Sequence, residues 1–304
     1  SFLETSRGAP QEGAEVTFAA DGQIELRVGT ESNGQGHETS YKQIAADRFG
    51  LPMDAFRYIQ ADTRETQIGF GHGGARSMHM GGGAMVRAID EVLEKAKSVA
   101  ARLLQAEATD LAFADGAFSV PSTGQSVSLA DLAAEAGDGG LDTFVFNEDV
   151  PFTFPNGCQA AEVEIDPETG AVELLRYIAV DDYGNLVNPM LTVGQVQGGL
   201  AQGIGQALGE DCTYDADSGQ LLAGSMMDYW MPRASQLPDL EIHLEGVPTK
   251  ANPLGVKGSG QAGCIGAPQT VVHAVLDALS GYGIDEIDMP ITSESVWRAI
   301  QANS

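Results

Sequence analysis

Four glycine-bearing segments hold most of the chemistry that can be read from this 304-residue chain. The first, Gly29 to Thr39, reads GTESNGQGHET and lies between an extended stretch and a helix. Glycines there let backbone N–H groups approach a ligand closely, and a following helix N-terminus favours an anion. The second, Gly69 to Ser77, reads GFGHGGARS and also runs into a helix. It places Arg76 among glycines, and in a chain with 16 Lys+Arg against 43 Asp+Glu such an Arg is a candidate anion ligand. The third, Gly194 to Gly199, carries Gln195 at the front of a helix. The fourth, Gly255 to Gly266, has five glycines in twelve residues and ends where Pro268 starts another helix. Together they suit a large, polar, phosphate-bearing ligand held by backbone N–H groups and neutral amides.

Each feature has a plainer reading. Any one glycine loop serves equally well as a tight turn. Gly198, Gly199 and Gly203 each cost a helix about 1 kcal/mol relative to Ala, and close helix packing is their expected structural reason. His37, His72 and His79 form no metal-binding spacing and read as loop hydrogen-bonders, and Arg76 has many surface carboxylates to pair with. Gly258 to Gly263 matches the dinucleotide pattern GxGxxG, but Asn252-Pro253-Leu254-Gly255 before it is no strand and too little chain follows for the rest of that fold.

Composition narrows the class further. A net charge of −27 excludes ordinary nucleic-acid binding and an anionic membrane surface. An apolar content of 43% excludes a disordered acidic chain. Cys158, Cys212 and Cys264 are widely spaced and odd in number, so neither a disulfide framework nor a zinc site is indicated. No run is long and apolar enough for a membrane span, and a reducing cytoplasm is the expected location. The first residue is Ser1, as expected of a chain processed or cut from something longer.

The elements that must position these loops mix hairpins with single helices. Asp21-Gly22 joins strands at Glu15–Ala19 and Gln23–Val28, a helix is expected over Thr39–Phe49, and a strand near Phe56–Gln60. Met85, Ile89, Val92, Ala96, Val99 and Leu103 mark one face of a long helix, with Glu91 and Lys95 paired outside. A small hairpin spans Leu111–Val120 and a helix Leu129–Ala136. A second hairpin, Cys158–Ile165 with Val172–Val180, precedes helices at Val193–Leu208, Pro268–Leu279 and Ser293–Ala302 and a strand at Leu240–Leu244. The fold class expected is α+β, in two mixed sheet-and-helix subdomains, 1–155 and 156–304.

Taken in order, the loops resemble one family. GTxxxGQGHET, GxGxxGxRS, VDDYGNLVNPM with GQVxGGxAQGIGQAL, and NPLGVKGxGxAG are similar to the molybdopterin-binding large subunit of the xanthine dehydrogenase, aldehyde oxidase and bacterial carbon monoxide dehydrogenase family, in its C-terminal, second molybdenum-binding domain. The resemblance runs through almost the whole chain. It implies that Gly34 and Gln35 contact the pterin or its nucleotide, that Arg76 and Ser77 hold phosphates, and that Gln195 lies beside the cofactor. Asp182 and Asn188 would shape the pterin pocket, with Gly36, His37, Gly74, Lys257, Gly258 and Gly260 completing the set. Molybdenum would be held through the pterin, in its cytosine dinucleotide form, with no metal ligand from this chain. The implied partners are an N-terminal molybdenum-binding half, subunits carrying 2Fe-2S clusters and FAD, and a small-molecule substrate.

The chain departs from the family at one position. The family's last loop is GxGE, whose Glu is the catalytic base; here Gln261 stands there. An amide accepts no proton at neutral pH. The expected function is therefore part of a molybdenum-dependent hydroxylase or dehydrogenase, inactive as an isolated chain, with a non-catalytic molybdopterin-binding or assembly paralogue as the alternative.

Overall fold

The computed structural model describes residues 1–304. After a short β1 (Phe2–Leu3), the Asp21-Gly22 hairpin forms from β2 (Glu12–Phe18) and β3 (Ile24–Val28). Next come α1 (His37–Phe49), β4 (Phe56–Ile59) and the long α2 (Gly83–Leu104). A three-strand meander, β5 (Ala112–Ala114), β6 (Ala117–Val120) and β7 (Gln125–Ser128), leads to α3 (Leu129–Ala136) and β8 (Thr143–Asn147). The chain then enters β9 (Asn156–Ile165) and β10 (Val172–Asp182), followed by α4 (Pro189–Leu208) and β11 (Leu240–Leu244). It closes with α5 (Ala262–Ile265), α6 (Ala267–Leu279) and α7 (Ser293–Asn303). No helix is long and apolar enough to cross a membrane.

The α+β class follows from the pairing. One sheet has the order β4-β3-β2-β8, with β3 and β4 parallel around the α1 crossover and the other pairs antiparallel. The other has the order β1-β9-β10-β11, with β10 and β11 parallel. Each sheet covers its own apolar core, the first through α1 and α2 and the second through α4, α6 and α7. The expected division near 155 falls between β8 and β9, but β1 pairs with β9. The first residues therefore belong with the second sheet, and the chain crosses to the first core at Glu4–Gly8.

Three local expectations need correction. On α2, Met85, Ile89, Val92 and Ala96 are buried, but Leu103 is 41% exposed because the helix has run past the sheet and Ala100 takes the last core position. Lys95 does not pair with Glu91; its ammonium bonds the Asp142 carbonyl at 2.7 Å and Thr143 Oγ1 at 2.8 Å, tying α2 to β8. Helix α4 starts four residues before Val193, because Asn188 caps it through Leu191 N–H and Pro189 occupies its first turn. Close packing does account for Gly199 and Gly203. A Cβ there would press on the α5 backbone (Gly199) and on Ala267 (Gly203), whereas Gly198 faces open space.

The packing sorts two apolar residues of α2 by consequence. Ile89→Ala removes a fully buried side chain and should cost about 2–5 kcal/mol, seen as a lower urea midpoint. Leu103→Ala should stay within about 0.5 kcal/mol of the parent.

Candidate functional site

The four glycine-bearing segments come together around one cleft of about 520 Å³, within the usual range for small-molecule and cofactor sites. Asn33–Gln35, with His37 and Ser40 from the start of α1, forms one wall. Gly73–Ala75, with Ser77 and Met78, forms the second. Tyr183, Asn185–Asn188 and the first turns of α4 through Gln195 make the third, and Val256–Gln261 closes the fourth side. No carboxylate lines this cleft, although the chain carries 43 Asp+Glu.

Backbone contact explains why the segments hold together. A Cβ on Gly258 would collide with Ser6 Oγ and the Ala75 carbonyl, so only glycine lets the fourth loop lie on the second. Ser6 Oγ donates to the Ala75 carbonyl at 2.8 Å, and Gly258 N–H donates to Thr153 Oγ1 at 3.2 Å. Gln195 Nε2 donates to the Gly260 carbonyl at 2.8 Å and ties α4 to the same loop. Asn188 reaches the other way, from Nδ2 to Gln43 Oε1 on α1 at 2.8 Å.

Arg76 does not face the cleft. Its side chain is fully buried, with Nη1 2.5 Å from Glu12 Oε2 and 2.6 Å from the Gly71 carbonyl. Nε reaches the Ala9 carbonyl at 3.3 Å and Nη2 the Gln11 carbonyl. The expectation that this guanidinium grips a phosphate is corrected: a carboxylate and three carbonyls already occupy it. Burial pushes the Glu12 carboxyl up, and Arg76 together with Gly13 N–H offsets only part of that.

Two other expected residues act from outside the cleft. Asp182 does not line it, but its carboxylate accepts from Lys257 Nζ at 2.6 Å and from Gly184 and Val247 N–H at 2.9 and 3.0 Å. Burial raises that carboxyl, yet these donors outweigh it and hold the group below its ordinary range. Gly36 is the left-handed N-cap of α1 and packs on Leu191. Gly34, Gln35, His37, Gly74, Ser77, Asn188, Gln195, Lys257, Gly258, Gly260 and Gln261 do line the cleft. Gln35 folds back, its Oε1 accepting from Asn33 N–H at 2.6 Å.

Sequence reasoning missed Glu4, Glu12, Glu31 and Tyr183: Glu4 and Glu12 lie outside every quoted motif, and Glu31 and Tyr183 lie within two of them without a spacing that marks a role. Tyr183 is buried against the cleft and donates its hydroxyl to Asp181 Oδ2 at 2.7 Å. Burial raises its pKa far above the phenol range. His37 is 5% exposed, and burial, with His72 nearby, pushes it down to about 4. Glu4 N–H donates to the Pro155 carbonyl at 2.9 Å, while both of its carboxyl oxygens are enclosed without a partner. Burial pushes that carboxyl up to about 7.

This geometry places the chain among known proteins. The family model for the molybdopterin cofactor-binding domain matches residues 1–238, and the chain belongs to that family. Over 298 residues it is 33% identical to the carbon monoxide dehydrogenase large chain of Hydrogenophaga pseudoflava, covering 95% of this chain and 37% of that one. Over 297 residues it is 36% identical to the nicotine 6-hydroxylase large subunit of Paenarthrobacter nicotinovorans, covering 94% and 36% respectively. The solved quinoline 2-oxidoreductase of Pseudomonas putida 86 superposes with a TM-score of 0.90 at 33% identity, over 100% of this chain and 41% of that one. The chain thus spans a little over a third of the length of the curated relatives it matches, 37% and 36%.

The buried charges yield two expectations. Arg76→Ala strands the Glu12 carboxylate and should destabilise the fold by about 3–5 kcal/mol, whereas Glu12→Leu with Arg76→Met should cost much less. Denaturant titration of the three proteins decides this, and equal loss in both variants would refute it. For Glu4, the folded-state value of about 7 lies above the ordinary 4.5, so its burial opposes folding only where the unfolded carboxyl is ionised. The penalty is absent below pH 4.5, grows up to pH 7 and is constant above that. Glu4→Gln should therefore gain on the parent across this window by up to about 3 kcal/mol. Parallel stability–pH curves for the two proteins would contradict it.

Proposed function

We propose that the chain is the C-terminal molybdopterin-binding part of a molybdenum-dependent hydroxylase or dehydrogenase, of the xanthine dehydrogenase or carbon monoxide dehydrogenase large-subunit type. The observation that carries this reading is the meeting of four glycine-bearing segments around one carboxylate-free cleft of about 520 Å³. A phosphate-bearing pterin needs N–H donors and amides without competing negative charge, and this wall chemistry fits it. Gly34, Gln35 and Gly74 would approach it through backbone, and Ser77, Asn188 and Gln195 through hydroxyl and amide groups. Lys257, already balanced by Asp182, would donate N–H bonds without adding net charge. Arg76 acts indirectly, by holding the loop that presents Gly74 and Ser77.

When bound, the molybdenum cofactor would supply two-electron oxidation of a small-molecule substrate. The cytosine dinucleotide form is favoured by similarity to the carbon monoxide dehydrogenase large chain. An N-terminal half of the larger protein would complete the cleft, with 2Fe-2S and FAD on partner subunits to carry electrons away. A cytoplasmic location accords with three free cysteines.

Gln261 lines the cleft, and the resemblance of its loop to GxGE puts it at the family's base position. An amide there orients a ligand but takes no proton, and this favours a second reading, a cofactor-holding paralogue without turnover. Metal and pterin analysis of the natively purified complex tests the main proposal. Near-stoichiometric molybdenum with a cytosine nucleotide is expected, and its absence would refute the reading. In that complex, Gln261→Glu should raise hydroxylation of simple aldehydes or aza-aromatics by about 10²-fold or more. The isolated chain should retain little cofactor, and tight retention would count against a cleft shared with a second half.

A further inference from the structure

Among the residues lining the cleft, four side chains titrate: His37, His72, Tyr183 and Lys257. Lys257 is an ammonium tied to Asp182 at 2.6 Å and has no lone pair to offer. Tyr183 is buried and donates its hydroxyl to Asp181. His37 is nine-tenths buried, and its Nδ1 is sealed from solvent without a partner. None of these three takes up a proton from a ligand in the cleft.

His72 differs in both position and partner. Its Nδ1 lies 2.8 Å from Glu31 Oε1, and both side chains are 36% exposed. Burial works against the Glu31 charge, but a backbone N–H and the His72 contact outweigh it and hold the carboxyl below its ordinary range. An ionised carboxylate only accepts, so in the neutral ring Nδ1 carries the proton and Nε2 keeps its lone pair. Nε2 makes no hydrogen bond within the chain. The same order, a carboxylate orienting an imidazole whose far nitrogen is free, recurs wherever histidine serves as a general base.

We propose that His72, positioned by Glu31, is the proton acceptor of this cleft in place of the carboxylate that Gln261 lacks. This rests on the reading that the cleft holds an oxidising cofactor and its substrate. A proton leaves a reacting O–H in the cleft and binds Nε2, while the other proton stays on Nδ1, hydrogen-bonded to the Glu31 carboxylate. The pair passes from a net charge of −1 to zero, and its partial exposure lets the proton escape to water.

The surroundings permit that uptake. From α1 the facing group is His37, uncharged near neutrality because burial holds it at about 4. Behind Glu31 lies Glu12, neutralised by Arg76. In the loop before α5, Lys257 is neutralised by Asp182. Glu31 is thus the one uncompensated charge beside His72.

Two experiments test the pair, one needing no turnover. Imidazole nitrogen NMR of the full chain at alkaline pH should show His72 mainly as the Nδ1–H tautomer, and Glu31→Gln should abolish that preference. In the native complex at matched molybdenum content, with benzaldehyde and quinoline as probes, His72→Gln should lower kcat/KM by about 10²-fold and remove the acidic limb of the pH profile. Adding Gln261→Glu to His72→Gln should restore turnover by returning a carboxylate to the cleft. A tautomer mixture indifferent to Glu31→Gln overturns the proposal, as does a molybdenum-loaded parent no faster than His72→Gln. A complex without molybdenum instead refutes the cofactor reading, and this one with it.

Discussion

One buried ion pair holds the cleft together. Arg76 brings a forked set of donors into a site with no access to water, and Glu12 with three backbone carbonyls satisfies them. Those carbonyls belong to two separate stretches, Ala9–Gln11 and Gly71, so a single side chain pins the second glycine loop onto the crossing segment. That segment begins in the second sheet at β1 and meets the first at β2. Ala75, with a left-handed φ of 54°, is then left between Ser6 and Gly258 and Gly260. A pair of this kind costs desolvation and adds little net stability. Its contribution is positional, since no apolar substitute would gather the same three carbonyls.

The charge distribution follows the same economy of cations. An acidic chain of net charge −27 has few positive groups, and Arg76 and Lys257, carried by two of the loops that line the cleft, are both matched to carboxylates, Glu12 and Asp182. The cleft is left close to electrically neutral, walled by amides, hydroxyls and backbone. An anionic ligand would then be held by fixed dipoles and N–H groups rather than by a free cation. Such binding depends on shape and hydrogen-bond direction and is screened little by salt.

Much of the fold was legible because its signals are local. The Asp21-Gly22 turn, the apolar period of α2 and the Pro-Gly turn between β9 and β10 each declare themselves within a few residues. Strands β1 and β8 did not. Phe2–Leu3 is too short to show alternation, and Thr143–Asn147 follows a polar stretch that resembles a linker. Both are defined by partners more than a hundred residues away, Asn156–Gly157 for β1 and Glu12–Val16 for β8. The candidate site was legible as a set of loops, for glycine spacing records where backbone must come close. The direction of a side chain is not so recorded. Arg76 looked like a phosphate ligand by type and spacing, and only Glu12, 64 residues earlier, decides that it turns inward.

The exchange at Gln261 is best understood against this neutral wall. Gln261 precedes the short α5, and its side chain makes no capping bond. The loop is fixed instead by Gly258 against Ala75 and by Gln195 on the Gly260 carbonyl. Glutamate and glutamine would therefore leave the backbone alike, and the difference between them is electrical. A carboxylate at this position would be the one negative side chain lining the cleft, whereas an amide leaves none. Glu31 is held back from the wall and contacts the cleft-lining imidazole of His72. Glu31 sits in the same loop as Gly34 and Gln35, and His72 in the same loop as Gly74. The segments that line the cleft thus also carry an imidazole–carboxylate pair, His72 with Glu31.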